Sequence, residues 1–131
     1  MSKVYLHRAG APDKLLGNVK ESGKVYRSDP GLDDRIGHVE LETGKIYQRR
    51  LGPDDYVGRV DLEDGKVYRH VPAGFDEYLG KVEGNGKMYK HDTLAPDDYM
   101  GNISTFMSFA HAGAGFLLLV LPAYVSRESS D

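Results

Sequence analysis

The sequence predicts an all-β fold: a closed five-fold ring of β-hairpins, ten short strands in all, followed by one apolar helix. Three observations carry this. The phrase Gly-Lys-(Val/Ile/Met)-Tyr recurs, and its tyrosines, Tyr5, Tyr26, Tyr47, Tyr68 and Tyr89, stand 21 residues apart without a slip. A second phrase, Gly-x-(Val/Ile), interleaves with it at Gly17, Gly37, Gly58, Gly80 and Gly101. The array opens on one half of the unit and closes on the other, so each end lacks the partner that the other supplies. A fixed period of this kind marks a repeat architecture and has to be read before any local motif.

Each unit reads as a hairpin. Ser22-Gly23, Thr43-Gly44, Asp64-Gly65 and Asn85-Gly86 separate the two phrases. Asn-Gly and Asp-Gly between apolar runs favour tight turns because the central residues need positive φ. Hairpins are therefore expected near residues 17–28, 37–49, 58–70 and 80–91. Strand side chains alternate between faces. Val39, Leu41 and Ile46 are expected on the inner face, with Glu40 and Tyr47 outside. Two turns, at Ser22 and Asn85, are one residue short. A three-residue loop with a left-handed glycine keeps Val19 opposite Val25.

The linkers between hairpins contain Pro30-Gly31, Gly52-Pro53, Pro72-Ala73-Gly74 and Ala95-Pro96, all turn formers. They end in acidic pairs: Asp33-Asp34, Asp54-Asp55, Asp76-Glu77 and Asp97-Asp98, with Asp13-Lys14 as a weaker first copy. An extra residue in these linkers offsets the short turns and preserves the period. If Gly101-Asn102-Ile103 pairs beside Lys3-Val4-Tyr5, the ring closes and no sheet edge is left exposed. An open solenoid would carry polar caps instead.

The array occupies residues 1–103, an apolar segment 104–122 and a polar tail 123–131. From Phe106 to Val125 there is no Asp, Glu, Lys or Arg. Ser104 or Thr105 is expected to cap a helix and Pro122 to stop it. A helix apolar all round is buried or in a membrane. As a plug on the ring axis, its small residues Ala110, Ala112, Gly113, Ala114 and Gly115 suit a narrow passage and its Phe and Leu residues a wider one. As a membrane anchor through 106–121 it is short, about 17 residues before Pro122, near the lower limit for a span. It also lacks a flanking positive cluster.

Composition bounds the function. The net charge is −3 and the charged fraction 28%, so no basic excess points to nucleic acid. Cysteine is absent, which excludes disulfides and thiolate chemistry. The chain enters its first repeat at once, leaving no room for a signal peptide. A cytoplasmic location is expected, with membrane association as the alternative. No phosphate loop, nucleophile elbow, zincin or dinucleotide motif is present.

The repeated polar residues offer candidates, each with a structural alternative. The acidic pairs could ring a cation, but adjacent Asp-Asp does not supply a calcium loop's alternating oxygens, and Asx-turns or caps are expected. Lys24, Lys45, Lys66 and Lys87 could hold an anion, but Glu42–Lys45 and Glu63–Lys66 are expected to pair across their hairpins. The repeat tyrosines, with Tyr56, Tyr78 and Tyr99, could stack on bases or sugars, but packing between neighbouring hairpins is expected. His7, His70 and His91 follow the repeat tyrosine by two and could share one rim. His111 is the only titratable group in the apolar segment and must find a partner or stay neutral. No catalytic, cofactor-binding or metal-binding residue emerges.

The 21-residue alternation of Gly-x-Val, turn and Gly-Lys-Val-Tyr, with a terminal Ala/Gly/Leu-rich helix, resembles the small bacterial β-flower proteins across residues 1–122. The resemblance implies hairpin petals forming a funnel with a helix inside, in a five-fold version. It implies no activity, cofactor or functional residue. The function expected is that of a non-enzymatic structural or interaction module, with an unidentified protein partner. A membrane-anchored or membrane-oligomerising module and a small-ligand sensor are the alternatives.

Overall fold

The structure is a computed structural model and describes residues 1–29 and 32–129. Ten antiparallel strands run in sequence order around a closed barrel. They are β1 (Ser2–Leu6), β2 (Lys14–Val19), β3 (Lys24–Ser28), β4 (Asp33–Val39), β5 (Lys45–Gln48), β6 (Asp55–Val60), β7 (Lys66–Arg69), β8 (Glu77–Val82), β9 (Lys87–Lys90) and β10 (Asp98–Ile103). The two ends join as the orphan phrases predict. Val4 faces Ile103, Tyr5 faces Asn102 and Leu6 faces Gly101. Ser104 extends this seam: its N–H donates to the Lys3 carbonyl at 2.8 Å and its Oγ accepts from the Lys3 N–H at 3.1 Å.

Turn chemistry sets the hairpin registers. Val19 pairs with Val25 and Val82 with Met88 across the short turns, Val39 with Ile46 and Val60 with Val67 across the longer ones. Gly44 and Gly65 sit at φ of 80° and 78°, where a side chain would be strained. Their carbonyls accept from Val60 and Val82 of the next hairpin at 3.0 and 2.9 Å. The turn glycine thus ends one hairpin and ties it to its neighbour.

Every seam between hairpins carries a β-bulge, as between Val25 and Tyr26 or Val67 and Tyr68. A bulge adds one unpaired residue and bends its strand. The unpaired residues are Leu16, Ile36, Val57, Leu79 and Met100, and all pack on the core. The glycine of Gly-x-Val follows. A Cβ on Gly58 would collide with the Tyr68 carbonyl, and one on Gly101 with the Tyr5 carbonyl. These glycines are kept because the adjacent strand passes too close for any side chain.

The inner face is Val4, Val19, Val25, Val39, Ile46, Val60, Val67, Val82, Met88 and Ile103, all buried. Leu41 is not among them. It is 40% exposed in the turn region and lies over Gly23 of the neighbouring hairpin, because strand β4 ends at Val39 and alternation stops there.

The apolar segment fills the barrel. It forms α1 (Phe109–Gly115), a π-helical turn (Phe116–Val120) and α2 (Leu121–Ser129). Helix α1 touches β2, β4, β6 and β8, strands distributed around the ring, so it lies inside. Ala110, Ala112, Ala114, Phe116 and Val120 are at most 1% exposed. The stretch Phe109–Arg127 is long and apolar enough to cross a membrane, with 67% of its most apolar window buried inside the protein. Glycine is normally unfavourable in a helix by about 1 kcal/mol. Gly113 is retained because a Cβ there would strike the Val60 side chain.

Two expectations about this segment are corrected. The helix starts later, with Ser108 as its cap. Ser108 Oγ accepts from the His111 N–H at 3.2 Å, leaving Ser104 and Thr105 to the closing seam. Pro122 does not stop the helix. The wide turn before it shifts the bonding pattern, with the Leu121 N–H donating to the Phe116 carbonyl, and a π turn of this kind lets the chain absorb a residue that breaks ordinary helix bonding. His111 is buried and satisfied. Its Nε2 lies 2.9 Å from the Glu21 carbonyl and its Nδ1 2.7 Å from Ser108 Oγ. A neutral ring with its proton on Nε2 meets both.

Gly58→Ala is expected to destabilise the protein by about 1–3 kcal/mol, the usual cost of overpacking a closed site. Gly84→Ala, where a Cβ meets open space, is expected to stay within about 0.5 kcal/mol. Urea unfolding of the two variants checks this, and equal effects would contradict the close-approach explanation.

Candidate functional site

Hairpin turns and linkers occupy opposite ends of an up-and-down barrel. The turn end is mostly polar: Thr43, Glu63, Asp64 and Asn85 are exposed there, beside Leu41 and Leu62, which are about 40% exposed. Asp61, Asp64 and Asn85 side chains accept from backbone N–H groups two residues on. These are Asx-turns, and Asp92 makes another in the last linker, accepting from the Leu94 N–H. Of the linker acidic pairs, Asp97 and Asp76 act as the expected caps, accepting from the Asp92 and Val71 backbone N–H groups.

Asp13 and three of the acidic pairs also clasp neighbouring hairpins on the outer wall. Asn18 Nδ2 donates to Asp33 at 3.2 Å, His38 Nδ1 lies 3.1 Å from Asp54, Arg59 Nε donates to Asp76 at 3.0 Å, and Asn102 Nδ2 donates to Asp13 at 3.3 Å. The donor is always the middle residue of Gly-x-(Val/Ile), and the last clasp crosses the closing seam. The expected Glu42–Lys45 and Glu63–Lys66 pairs do not appear among the described residues. Lys66 Nζ lies 3.9 Å from Asp64, while Lys45 and Lys66 face Arg59 and Lys81 across the seams.

The tyrosines pack between hairpins on the same wall. Tyr47 meets Tyr56, Tyr68 meets Tyr78 and Tyr89 meets Tyr99, with ring centroids 5.6–5.7 Å apart. His70, His91 and His7 add a third ring to each set, at 4.6–4.9 Å. Each of these histidines contacts the acid of its own linker: His7–Asp13, His70–Asp76 and His91–Asp97. They share a rim but do not converge. Among the described residues no three His, Asp or Glu side chains are placed to hold a metal.

Burial, reinforced by nearby carboxylates, pushes the hydroxyls of Tyr47, Tyr56 and Tyr78 above the ordinary tyrosine range, with Glu40, Asp76 and Asp97 the respective neighbours. The hydrogen bond from Arg59 holds the Asp76 carboxyl below its ordinary value.

The linker end is different. Leu51 and Phe75 are 99% exposed, Leu94 96% and Leu32 82%, each at a linker tip. The helix reaches this end off-centre. Tyr124 donates to Asp98 at 3.2 Å and Arg127 Nη1 to the His7 carbonyl at 2.9 Å. Both ties hold it toward β10 and β1. Strands β5 and β6 stand opposite in the ring, and between them and the helix lies a cleft of about 700 Å³. Val57, Leu117, Leu118, Leu121 and Val125 supply apolar surface; Gln48, Asp55, Arg69 and His70 supply polar groups. Sequence reasoning missed this site. Its available signal was a large apolar residue in each of four otherwise turn-forming linkers.

No family model, curated protein or solved structure matches the chain.

Because Asp76 titrates below its ordinary value of 3.8, its contribution to stability is present above that pH and is lost as pH falls through the lower folded value. Arg59→Met is expected to raise the Asp76 pKa, read by carboxyl NMR titration. An unchanged titration would remove Arg59 as the cause.

Proposed function

We propose that the protein is a non-enzymatic interaction module whose working face is the linker end of the barrel, in keeping with a β-flower. One observation carries this: the two ends differ. The turn end presents hydrogen-bonded polar loops with Leu41 and Leu62 part-covered, whereas the linker end presents four almost fully exposed apolar tips and a separate cleft with an apolar wall. Single exposed apolar residues need no explanation. Four such residues on successive linkers of one end, with a polar-rimmed apolar cleft at the same end, favour a contact site there. Catalysis calls for groups with different roles converging in one pocket, whereas the outer wall repeats one arrangement of tyrosine, histidine and acid.

Membrane association is the runner-up, favoured by the hydropathy of Phe109–Arg127. Using that helix as an anchor requires pulling it from the barrel and uncovering the inner valines. Contact through Leu51, Phe75 and Leu94 would not.

A photo-crosslinking residue at Leu51 or Phe75 is expected to give discrete adducts in the native cell, and the same residue at Thr43 or Asp64 none. Adducts only from the turn end would overturn the assignment. Vesicle flotation lost in a Leu51→Ser, Phe75→Ser, Leu94→Ser variant would favour membrane contact.

A further inference from the structure

We propose that the cleft beside the helix binds a single-chain amphiphile with an anionic head group, its tail against the helix and its head at an arginine rim. This rests on taking the linker end as the working face and names the ligand class for it.

The size fits. Small-molecule sites commonly span about 300–1,000 Å³ and combine an apolar lining with a few placed polar groups. The cleft of about 700 Å³ has that composition. Its apolar wall is incompletely covered: Leu117 and Leu121 are buried, but Leu118 and Val57 are only partly so. The cause is the lean of the helix, tied by Tyr124 and Arg127 to the far side. An acyl chain laid along Leu118 and Val57 would remove that surface from water without moving the barrel.

Charge decides the head group. Two smaller hollows, about 360 and 140 Å³, adjoin the cleft, and Gln48 lines all three. Together they are lined by five arginines (Arg27, Arg35, Arg49, Arg50 and Arg69) against two carboxylates, Asp34 and Asp55. Two further carboxylates, Asp54 and Glu77, reach Arg35 and Arg69 from outside the lining, which leaves a small positive excess at this rim of a chain that is acidic as a whole, at −3. Arg35 is paired with Asp54 at 3.6 Å, but three of the others are held only loosely by their neighbours. Arg49 lies 4.0 Å from Asp34, Arg50 3.5 Å from Asp55 and Arg69 3.8 Å from Glu77, and all three are more than half exposed. Pairs this loose contribute little, and each guanidinium keeps donors for a carboxylate or phosphate fork. A cationic head would meet the same guanidinium groups and be repelled.

The test is calorimetric titration of the full chain with sodium dodecanoate below its aggregation concentration, with dodecyltrimethylammonium as the cationic counterpart. Dodecanoate is expected to bind one to one, and the cationic chain at least about tenfold more weakly, equivalent to about 1.4 kcal/mol. The double variant Arg49→Glu, Arg69→Glu is expected to weaken dodecanoate by at least about tenfold at unchanged thermal stability, since both side chains project into solvent. Methyl NMR shifts are expected at Val57 and Leu118 and not at Leu41 or Leu62 on the turn end. No saturable binding, equal binding of the two heads, or shifts at the turn end would overturn the proposal. So would binding seen only with phosphatidylglycerol vesicles and never with the free chain. Crosslinks from Leu51 and Phe75 without dodecanoate binding would leave the linker end as the working face and remove only the ligand.

Discussion

The structure depends on one constraint: a ring of hairpins has an apolar inner face that nothing but a central element can cover. The helix occupies the axis and packs against β1, β2, β4, β6 and β8, so the inner-face residues are buried around it. Fully burying one Val, Leu or Phe side chain is worth roughly 1.5–3 kcal/mol, and Phe116 and Val120 are both completely buried. Ring and helix must match in girth. Gly113 beneath Val60 and Gly115 near Val4 show how tight the fit is. The glycines of Gly-x-Val solve the same problem in the wall, letting adjacent strands approach until no side chain fits between them.

The polar chemistry of the outer wall follows from the repeat. In four of the five Gly-x-(Val/Ile) phrases the middle residue (Asn18, His38, Arg59 and Asn102) reaches the acid of the next unit, and paired tyrosines seal three of the seams between hairpins. Such a wall holds the ring together but distinguishes no direction around it. Asymmetry enters through the part of the chain that does not repeat. The helix carries Tyr124 and Arg127, which bind it to β10 and β1 and open a cleft on the opposite side. A site is therefore expected where the unique segment meets the repeated one.

Much of the fold was legible in the sequence because it is written in period and turn chemistry. The spacing of Tyr5 to Tyr89 gave the unit, Asn85-Gly86 and Asp64-Gly65 the turns, and the orphan phrases at Lys3 and Gly101 the closure. What was not legible depends on distances between segments. The bulges at Ile36 and Val57 look like ordinary strand residues until the next hairpin is in place. Ser108 and Ser104 are equivalent as helix caps until the closing seam claims Ser104. Pro122 reads as a stop because a π turn has no sequence mark. The cleft was invisible for the same reason, since it arises from the lean of the helix and from no motif of its own.

The dependence of the ring on its helix is tested most directly by truncating the chain after residue 103 and restoring residues 104–131 as a separate peptide. The truncated ring alone is expected to lose cooperative unfolding and dispersed amide NMR signals, and the peptide is expected to restore both at one equivalent. A truncated chain that keeps the native spectrum and unfolds cooperatively without the peptide would contradict the account.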